Sequence, residues 1–123
     1  MMLIDTCIVI EVYRNNLSII ERLKSIGQSE LSISDITCAE LYFGARNKKE
    51  LTAIARDIKK LEVIHIDSTV SKKAVELISK YALSHKLAIP DALIAATSIC
   101  SGLPLLTLNK KDFVFIQGIK LIE

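Results

Sequence analysis

The 123-residue sequence has little of what marks fibrous, disulfide-linked or membrane-spanning proteins. Four glycines and two prolines exclude a fibrous or loop-rich architecture. No apolar run reaches the roughly 20 residues of a membrane span, and no basic segment precedes an apolar one as in a secretory signal. The three cysteines, Cys7, Cys38 and Cys100, are an odd number in apolar settings. They predict free thiols in a reducing cytoplasm rather than disulfides or a zinc site.

Apolar residues, in contrast, are plentiful. They make up 50% of the chain, mean hydropathy is +0.38, and charged residues account for 24%. This composition excludes a disordered chain and predicts a single domain over residues 1–123. The net charge of +2 neither requires nor excludes a nucleic-acid partner.

Short apolar runs alternate with helical patterns along the chain. The predicted strands are residues 2–4, 31–34, 63–66 and 105–108, with 119–122 as a possible fifth. The predicted helices are residues 7–13, 18–26, 35–46, 48–61, 71–85 and 89–100. This alternation indicates an α/β fold with a central parallel sheet of four to five strands flanked by helices. Such sheets bind ligands beyond the carboxyl ends of their strands.

Three carboxylates on different predicted elements are candidates for such a site. Asp5 directly follows the first strand, where it could also be an ordinary helix N-cap. Glu40 lies on or beside the apolar face of its helix, where an unpaired carboxylate is costly unless it reaches solvent at the edge of that face. Asp91 is the only charge of its helix, and capping alone could explain it. Each residue therefore has a structural reading beside a functional one.

Further polar residues follow the other strands. Asn109 and Asp112 come after the strand at 105–108, where they, like Thr107, could simply form a turn. Asp67 follows the strand at 63–66, and the adjacent hydroxyl residues favour a capping role for it.

Converging carboxylates need an explanation beyond capping. Two of them 4 Å apart repel by about 4 kcal/mol at an effective dielectric constant of 20. A cluster persists only if it takes up protons or cations. Oxygen ligands without histidine or cysteine favour Mg²⁺ or Mn²⁺, and such an ion can activate water for attack on a phosphodiester.

Four segments resemble the motifs of PIN-domain ribonucleases, and most closely those of the VapC toxins of type II toxin–antitoxin pairs. In chain order they are LIDT (residues 3–6), ITCAELYFGA (36–45), PDALIAA (90–96) and TLNKKDF (107–113). Each motif is weak alone, but the four in order span the chain and are fairly specific.

The resemblance implies a PIN-like fold and a Mg²⁺- or Mn²⁺-dependent endoribonuclease. Asp5, Glu40 and Asp91 would hold the metal and take part in catalysis. The fourth acidic position of the family falls on the uncharged Asn109, which leaves Asp112 as the expected catalytic helper and metal ligand beside it. Thr6 would support Asp5 through its hydroxyl or its backbone amide.

RNA contacts are expected at basic residues near these motifs. Residues 46–60 include six basic and two acidic side chains, a net charge of +4, which is either a solvated helix face or a phosphate-steering surface. Lys110 and Lys111 adjoin Asn109, and we also expect Arg46 and Thr6 to contact RNA. Recognition would rest on backbone contacts and RNA shape, since no aromatic residue lies among the basic ones.

The resemblance also implies two protein partners: a VapB-like antitoxin and, in a homodimer, a second copy of the chain. An antitoxin arginine would enter the acidic site, because a cation is the best blocker of carboxylates. The candidate walls of an apolar groove for the antitoxin are Tyr42, Phe43, Val9, Val12, Tyr13, Ile19 and Ile20. Among them, core packing is the favoured reading for Phe43 and Ile20.

Two other functions compete with the nuclease. One is a receiver-like phosphoacceptor domain, in which Asp67, Thr107 and Lys110 would be the acceptor, hydroxyl and cation. It leaves Glu40 without a role and lacks the expected pair of carboxylates after the first strand. The other is a non-catalytic binding module whose acidic residues only cap helices.

Overall fold

The computed structural model describes residues 1–123 and is built on a four-stranded, fully parallel sheet. Its strands are β1 (Met2–Ile4), β2 (Leu31–Ser34), β3 (Glu62–Ile64) and β4 (Leu105–Leu106). Their order across the sheet is β3-β2-β1-β4, so β1 pairs with β2 on one side and with β4 on the other. The predicted α/β architecture is confirmed.

Six helices connect and cover the strands. They are α1 (Thr6–Tyr13), α2 (Leu17–Ile26), α3 (Asp35–Phe43), α4 (Lys48–Ile58), α5 (Ser68–His85) and α6 (Ile89–Ser101). Short 3₁₀ turns occupy Gln28–Glu30 and Lys110–Asp112. None of the helices has both the length and the apolar character needed to cross a membrane.

The core has two parts, one on each face of the sheet. Successive residues of a strand point to opposite faces, so Leu3 joins the cluster with α5 and α6, whereas Ile4 joins the cluster with α1 and α2. Both residues are almost fully buried. Because helices cover both faces, polar side chains that must reach a ligand are confined to the ends of the strands.

Several predicted elements are shorter in the structure, and a side-chain hydrogen bond explains where β3 stops. After β3, the backbone amide of Ile66 donates to Asp35 Oδ2 at 2.8 Å instead of to a neighbouring strand. Residues 119–122 form a single bridge, between Leu105 and Leu121, and not a fifth strand.

Two helix ends also differ from the prediction. Helix α3 stops at Phe43 because Gly44 caps it, so the segment up to Arg46 is not helical. Helix α5 starts three residues early, at Ser68, because the Asp67 side chain accepts the backbone amide of Val70. Asp67 is thus the N-cap that its sequence context predicts.

Candidate active site

Asp5 lies at the carboxyl end of the central strand. Its backbone amide donates to the carbonyl of Leu106 in β4 at 2.9 Å, and its extended backbone begins helix α1. Only 5% of the residue is exposed. Oδ1 accepts the backbone amide of Thr6 at 2.8 Å, and Oδ2 accepts the hydroxyl of Thr107 at 2.7 Å. The carboxylate is therefore an N-cap, as one reading predicts, but one that is buried and held by a second element.

Cys7 adds a third donor to this carboxylate. Its Sγ donates to Asp5 Oδ2 at 3.3 Å and accepts the backbone amide of Leu108 at 3.5 Å. Burial raises the pKa of the Cys7 thiol, and the nearby charge of Asp5 also contributes to the rise. The thiol accordingly keeps its proton at neutral pH and serves as a donor, a role that the sequence did not indicate.

Glu40 is half-buried on α3 and faces α1. Its Oε1 accepts the Thr6 hydroxyl at 2.8 Å, and that hydroxyl lies 2.9 Å from the hydroxyl of Thr37. The amide of Thr6 supports Asp5, as predicted, but its hydroxyl supports Glu40 instead. Because Thr6 is 7% exposed and its polar atoms are engaged in these bonds, the structure favours a positioning role over the predicted RNA contact.

Asp91 differs from both. It lies in the first turn of α6 beside Pro90, yet no side chain caps that helix, and the Asp91 side chain forms no hydrogen bond or ion pair within the protein. Its pKa is raised to about 6, most by burial and then by the charges of Asp5, Asp112 and Glu40, in that order. The capping explanation for Asp91 therefore fails, and four predicted site carboxylates lie within electrostatic reach of one another.

The turn after β4 orders Asn109 and Asp112. The backbone amide of Asn109 donates to Thr107 Oγ1 at 3.0 Å, and its carbonyl accepts the amide of Asp112 at 2.9 Å. Asp112 is half-buried, whereas Asn109 is exposed. Of the two, only Asp112 acts on Asp91 through its charge.

No basic side chain neutralises this cluster. The protein has eight ion pairs, and none includes Asp5, Glu40, Asp91 or Asp112. No three carboxylate, imidazole or thiol groups are close enough to hold a metal ion in this conformation. The carboxylates of the cluster are therefore separated from one another by more than metal-ligand distances. An all-oxygen donor set without a protein counter-charge fits a hard divalent cation such as Mg²⁺ or Mn²⁺.

A cleft of about 680 Å³ between α1, α3 and α4 reaches Glu40. Arg46 and Arg14 also line it. Arg46 is exposed but forms a two-pronged pair with Glu50, with Nη2 2.8 Å from Oε2. Lys110 pairs only with the carboxylate of Glu123 at 3.7 Å, and the exposed Lys111 has no ion-pair partner. Of the predicted RNA-binding cations, Lys111 is the one without an ion-pair partner.

A second, mostly apolar cleft of about 520 Å³ lies between α1, α2 and the end of α4. Four of the predicted antitoxin walls line it: Val9, Val12, Tyr13 and Ile20. Tyr13 lines both clefts and donates its hydroxyl to Asp57 at 2.9 Å; burial and this bond raise its pKa to about 12. Ile19 is buried in the core.

The structure corrects the prediction for Phe43. Core packing was the favoured reading, but Phe43, the last residue of α3, is 93% exposed, because the buried side of this helix carries Thr37 and Leu41. Tyr42, beside it, is also exposed. Neither residue lines either cleft.

Comparison with known proteins assigns this arrangement to a family. The PIN domain family model matches residues 2–116. Ribonuclease VapC1 of Rickettsia felis is 31% identical, over 98% of this chain and 94% of its own length. A toxin–antitoxin complex from Klebsiella pneumoniae is 28% identical over 97% of this chain and 95% of that one, with a TM-score of 0.81. The DNA-bound VapBC structure from Salmonella typhimurium is 26% identical over 99% of this chain and 98% of that one, with a TM-score of 0.84.

These similarities cover nearly the whole chain and agree with the motifs seen in the sequence. They exclude the receiver-like alternative, whose proposed phosphoacceptor, Asp67, is an exposed helix cap. The predicted resemblance is confirmed: the chain belongs to the PIN-domain family, as a VapC-like member.

Proposed function

We propose that the chain is a Mg²⁺- or Mn²⁺-dependent endoribonuclease, and the toxin of a type II toxin–antitoxin pair, built as one domain over residues 1–123. The observation that carries this proposal is the environment of Asp91. Its carboxyl group is half-buried, faces the charges of three other carboxylates, and has no basic partner. A bound cation would stabilise the ionised form of such a group, because the ion offsets both the repulsion between the carboxylates and the cost of desolvating them.

Asp5, Glu40 and Asp91 would hold the ion, with Asp112 as a charged helper and the side-chain oxygen of Asn109 as a weaker donor. When bound, the ion polarises the scissile phosphate and makes a water molecule easier to deprotonate. Burial and the neighbouring charges raise the pKa of Asp91 to about 6, and a bound cation would favour its ionised form, so metal binding would be coupled to loss of this proton. The backbone amide of Thr6 and the hydroxyl of Thr107 donate to the Asp5 carboxylate and keep it oriented.

RNA must approach an acidic site, so cations beside it are needed to offset repulsion of the phosphates. Lys111 and Lys110 are exposed on the turn between Asn109 and Asp112 and are the best placed for this role. Arg46 lines the cleft that reaches Glu40, and it would exchange its carboxylate partner Glu50 for a phosphate.

An antitoxin is the proposed regulator of this site in the cytoplasm. The Klebsiella and Salmonella relatives were solved as toxin–antitoxin complexes. Here the apolar cleft of about 520 Å³ would receive apolar side chains of the antitoxin, and an antitoxin arginine would pair with the unneutralised carboxylates. A homodimer would bury exposed apolar residues that the monomer leaves in water.

The nuclease proposal is tested by cleavage of a defined RNA with Mn²⁺, with Mg²⁺ and with EDTA. Asp5→Asn, purified in the same way, is the control for contamination, because the activity of a contaminating ribonuclease would not be changed by this substitution. We expect cleavage only by the wild type and only with metal. Cleavage that persists in EDTA or in Asp5→Asn would contradict the proposal.

The partner proposal is tested separately. The chain is co-expressed with the small protein encoded beside its gene, and the mass and RNA cleavage of the product are measured. We expect a complex with suppressed cleavage. A chain that stays unbound and fully active would contradict the toxin–antitoxin proposal but not the nuclease proposal.

A further inference from the structure

A row of three hydroxyl groups leads from the end of β2 to the carboxylate of Glu40. Ser34 Oγ lies 3.4 Å from Thr37 Oγ1, which lies 2.9 Å from Thr6 Oγ1, which lies 2.8 Å from Glu40 Oε1. Ser34 and Thr37 are 0% exposed. The row therefore runs through the interior and joins three elements: β2, α3 and α1.

The direction of every bond in this row follows from the number of protons. Each hydroxyl has a single proton to donate, and an ionised carboxylate can only accept. The Thr6 proton goes to Glu40, so Thr6 must accept from Thr37. The Thr37 proton is thereby used, so Thr37 must accept from Ser34. All three protons point toward Glu40.

Helix capping explains only part of this arrangement. Ser34 Oγ accepts the backbone amide of Thr37 at 3.2 Å and so caps α3. That cap does not require the Thr37 hydroxyl, which reaches across to Thr6 on another helix. Thr6 in turn divides its donors between two carboxylates, its amide to Asp5 and its hydroxyl to Glu40.

We propose that Thr37, supported by Ser34, is a positioning residue that acts through Thr6 to aim the Glu40 carboxylate at the cation. This inference rests on the proposed function, since it takes Glu40 to be a metal ligand. With Oε1 fixed by Thr6, Oε2 has no hydrogen bond within the protein and remains for the ion. Hydrogen-bond partners of metal ligands commonly contribute a factor on the order of 10 to 100 to metal affinity.

The test is the affinity for Mn²⁺, measured from the electron paramagnetic resonance signal of the free ion. Thr37→Val and Thr6→Val keep the side-chain shape and remove the hydroxyl, whereas Thr37→Ser keeps the hydroxyl. Thr97→Val is the matched control, because Thr97 is also buried but its hydroxyl bonds only to the carbonyl of Leu93 in its own helix.

We expect Thr6→Val to weaken Mn²⁺ binding on the order of tenfold. Thr37→Val should weaken it by a smaller factor, while Thr37→Ser and Thr97→Val bind as the wild type does. In a Glu40→Gln background, Thr37→Val should have little further effect, because its influence passes through that carboxylate. Wild-type affinity in Thr37→Val, an equal loss in Thr97→Val, or an undiminished loss in the Glu40→Gln background would overturn the inference.

A metal-free measurement separates this inference from the proposed function. The carbon-13 shift of the Glu40 carboxyl carbon should move in Thr6→Val and Thr37→Val but not in Thr97→Val. If the wild type binds no Mn²⁺ while these shifts move, the metal proposal fails and the hydroxyl row stands. If the shifts do not move, Thr37 does not act on Glu40 and the inference is overturned.

Discussion

The ends of β1 and β3 share one feature but differ in their surroundings. Asp5 follows β1 directly and Asp67 follows β3 after two further residues, and the side chain of each accepts a backbone amide at the start of the next helix. Asp5 is 5% exposed and is also held by Thr107, whereas Asp67 is exposed and its side chain bonds only to Val70.

Strand order causes this difference. β1 is central, so the carboxyl end of β4 lies on one side of Asp5 and that of β2 on the other. β3 is at the edge, and beside its end is Asp35, which bonds to the amide of Ile66 and to the His65 ring. We therefore propose that Asp5 serves in the site because neighbouring strands end beside it, whereas Asp67, at the β3 edge, only caps a helix.

The largest expected contrast is in RNA cleavage. Asp5→Asn should reduce cleavage to background while the protein stays folded, because removing one of several like charges relieves repulsion. Asp67→Asn should keep wild-type cleavage, since an asparagine caps a helix about as well. Initial rates and circular dichroism check both. Unfolding of Asp5→Asn, or an equal loss in Asp67→Asn, would show that the two ends do not differ in this way.

The next contrast is in the response of the melting temperature to metal. Millimolar Mn²⁺ should raise it, because a ligand at 100 times its dissociation constant stabilises the folded state by about 2.7 kcal/mol. The rise should be lost in Asp5→Asn and kept in Asp67→Asn, as measured by scanning calorimetry. A wild-type melting temperature that does not change with Mn²⁺ would contradict the proposed metal site.

A smaller effect is expected at the turn after β4. Asp112→Ala should weaken both the metal response and the cleavage rate more than Asn109→Ala does, because only Asp112 brings a full charge to the cluster. Parallel rate and melting measurements on the two variants decide the ranking. If Asn109→Ala is the more damaging, the amide is the direct donor and the ranking is wrong.

The smallest effect concerns pH. The pKa of Asp91 is raised from 3.8 to about 6, so the folded protein binds this proton more tightly than the unfolded chain does. Stability without metal should therefore fall as pH rises from about 4 to 6. Screening at this half-buried group reduces the effect from about 3 to about 1 kcal/mol.

Urea unfolding of the wild type and Asp91→Asn in EDTA measures this contribution. The variant should gain about 1 kcal/mol relative to the wild type between pH 4 and pH 7. A difference that is constant across this range would show that Asp91 is not perturbed by its neighbours.

The sequence was sufficient to predict the parallel sheet and the carboxylates at its edge. A short apolar run located β1 and an alternating pattern located β2, each with the bounds that the structure has, and the position of Asp5 after a strand followed from them. The hydroxyl residues after Asp67 favoured capping there, but capping was also open at Asp5, because local patterns do not show strand order; they did not by themselves rank Asp5 as a site residue. The four motifs supplied that ranking through family resemblance.

The hydroxyl groups that hold the carboxylates were largely missed. Thr107 and Asp5 are 102 residues apart, and Thr37 and Thr6 are 31 apart, so no local pattern joins them. One usable signal was present: Thr37 precedes Glu40 by three residues, which places both on the same side of α3. Phe43 was misjudged because the buried side of α3 carries Thr37 and Leu41, and Phe43, two positions after Leu41, lies on the opposite side of the helix.

If Asp5, Glu40 and Asp91 hold one divalent cation, anomalous scattering from crystals soaked in Mn²⁺ will locate it. We expect a manganese peak coordinated by these three carboxylates, and no peak there in Asp5→Asn crystals. A manganese ion bound elsewhere, or none at these residues at saturating Mn²⁺, would contradict the proposal.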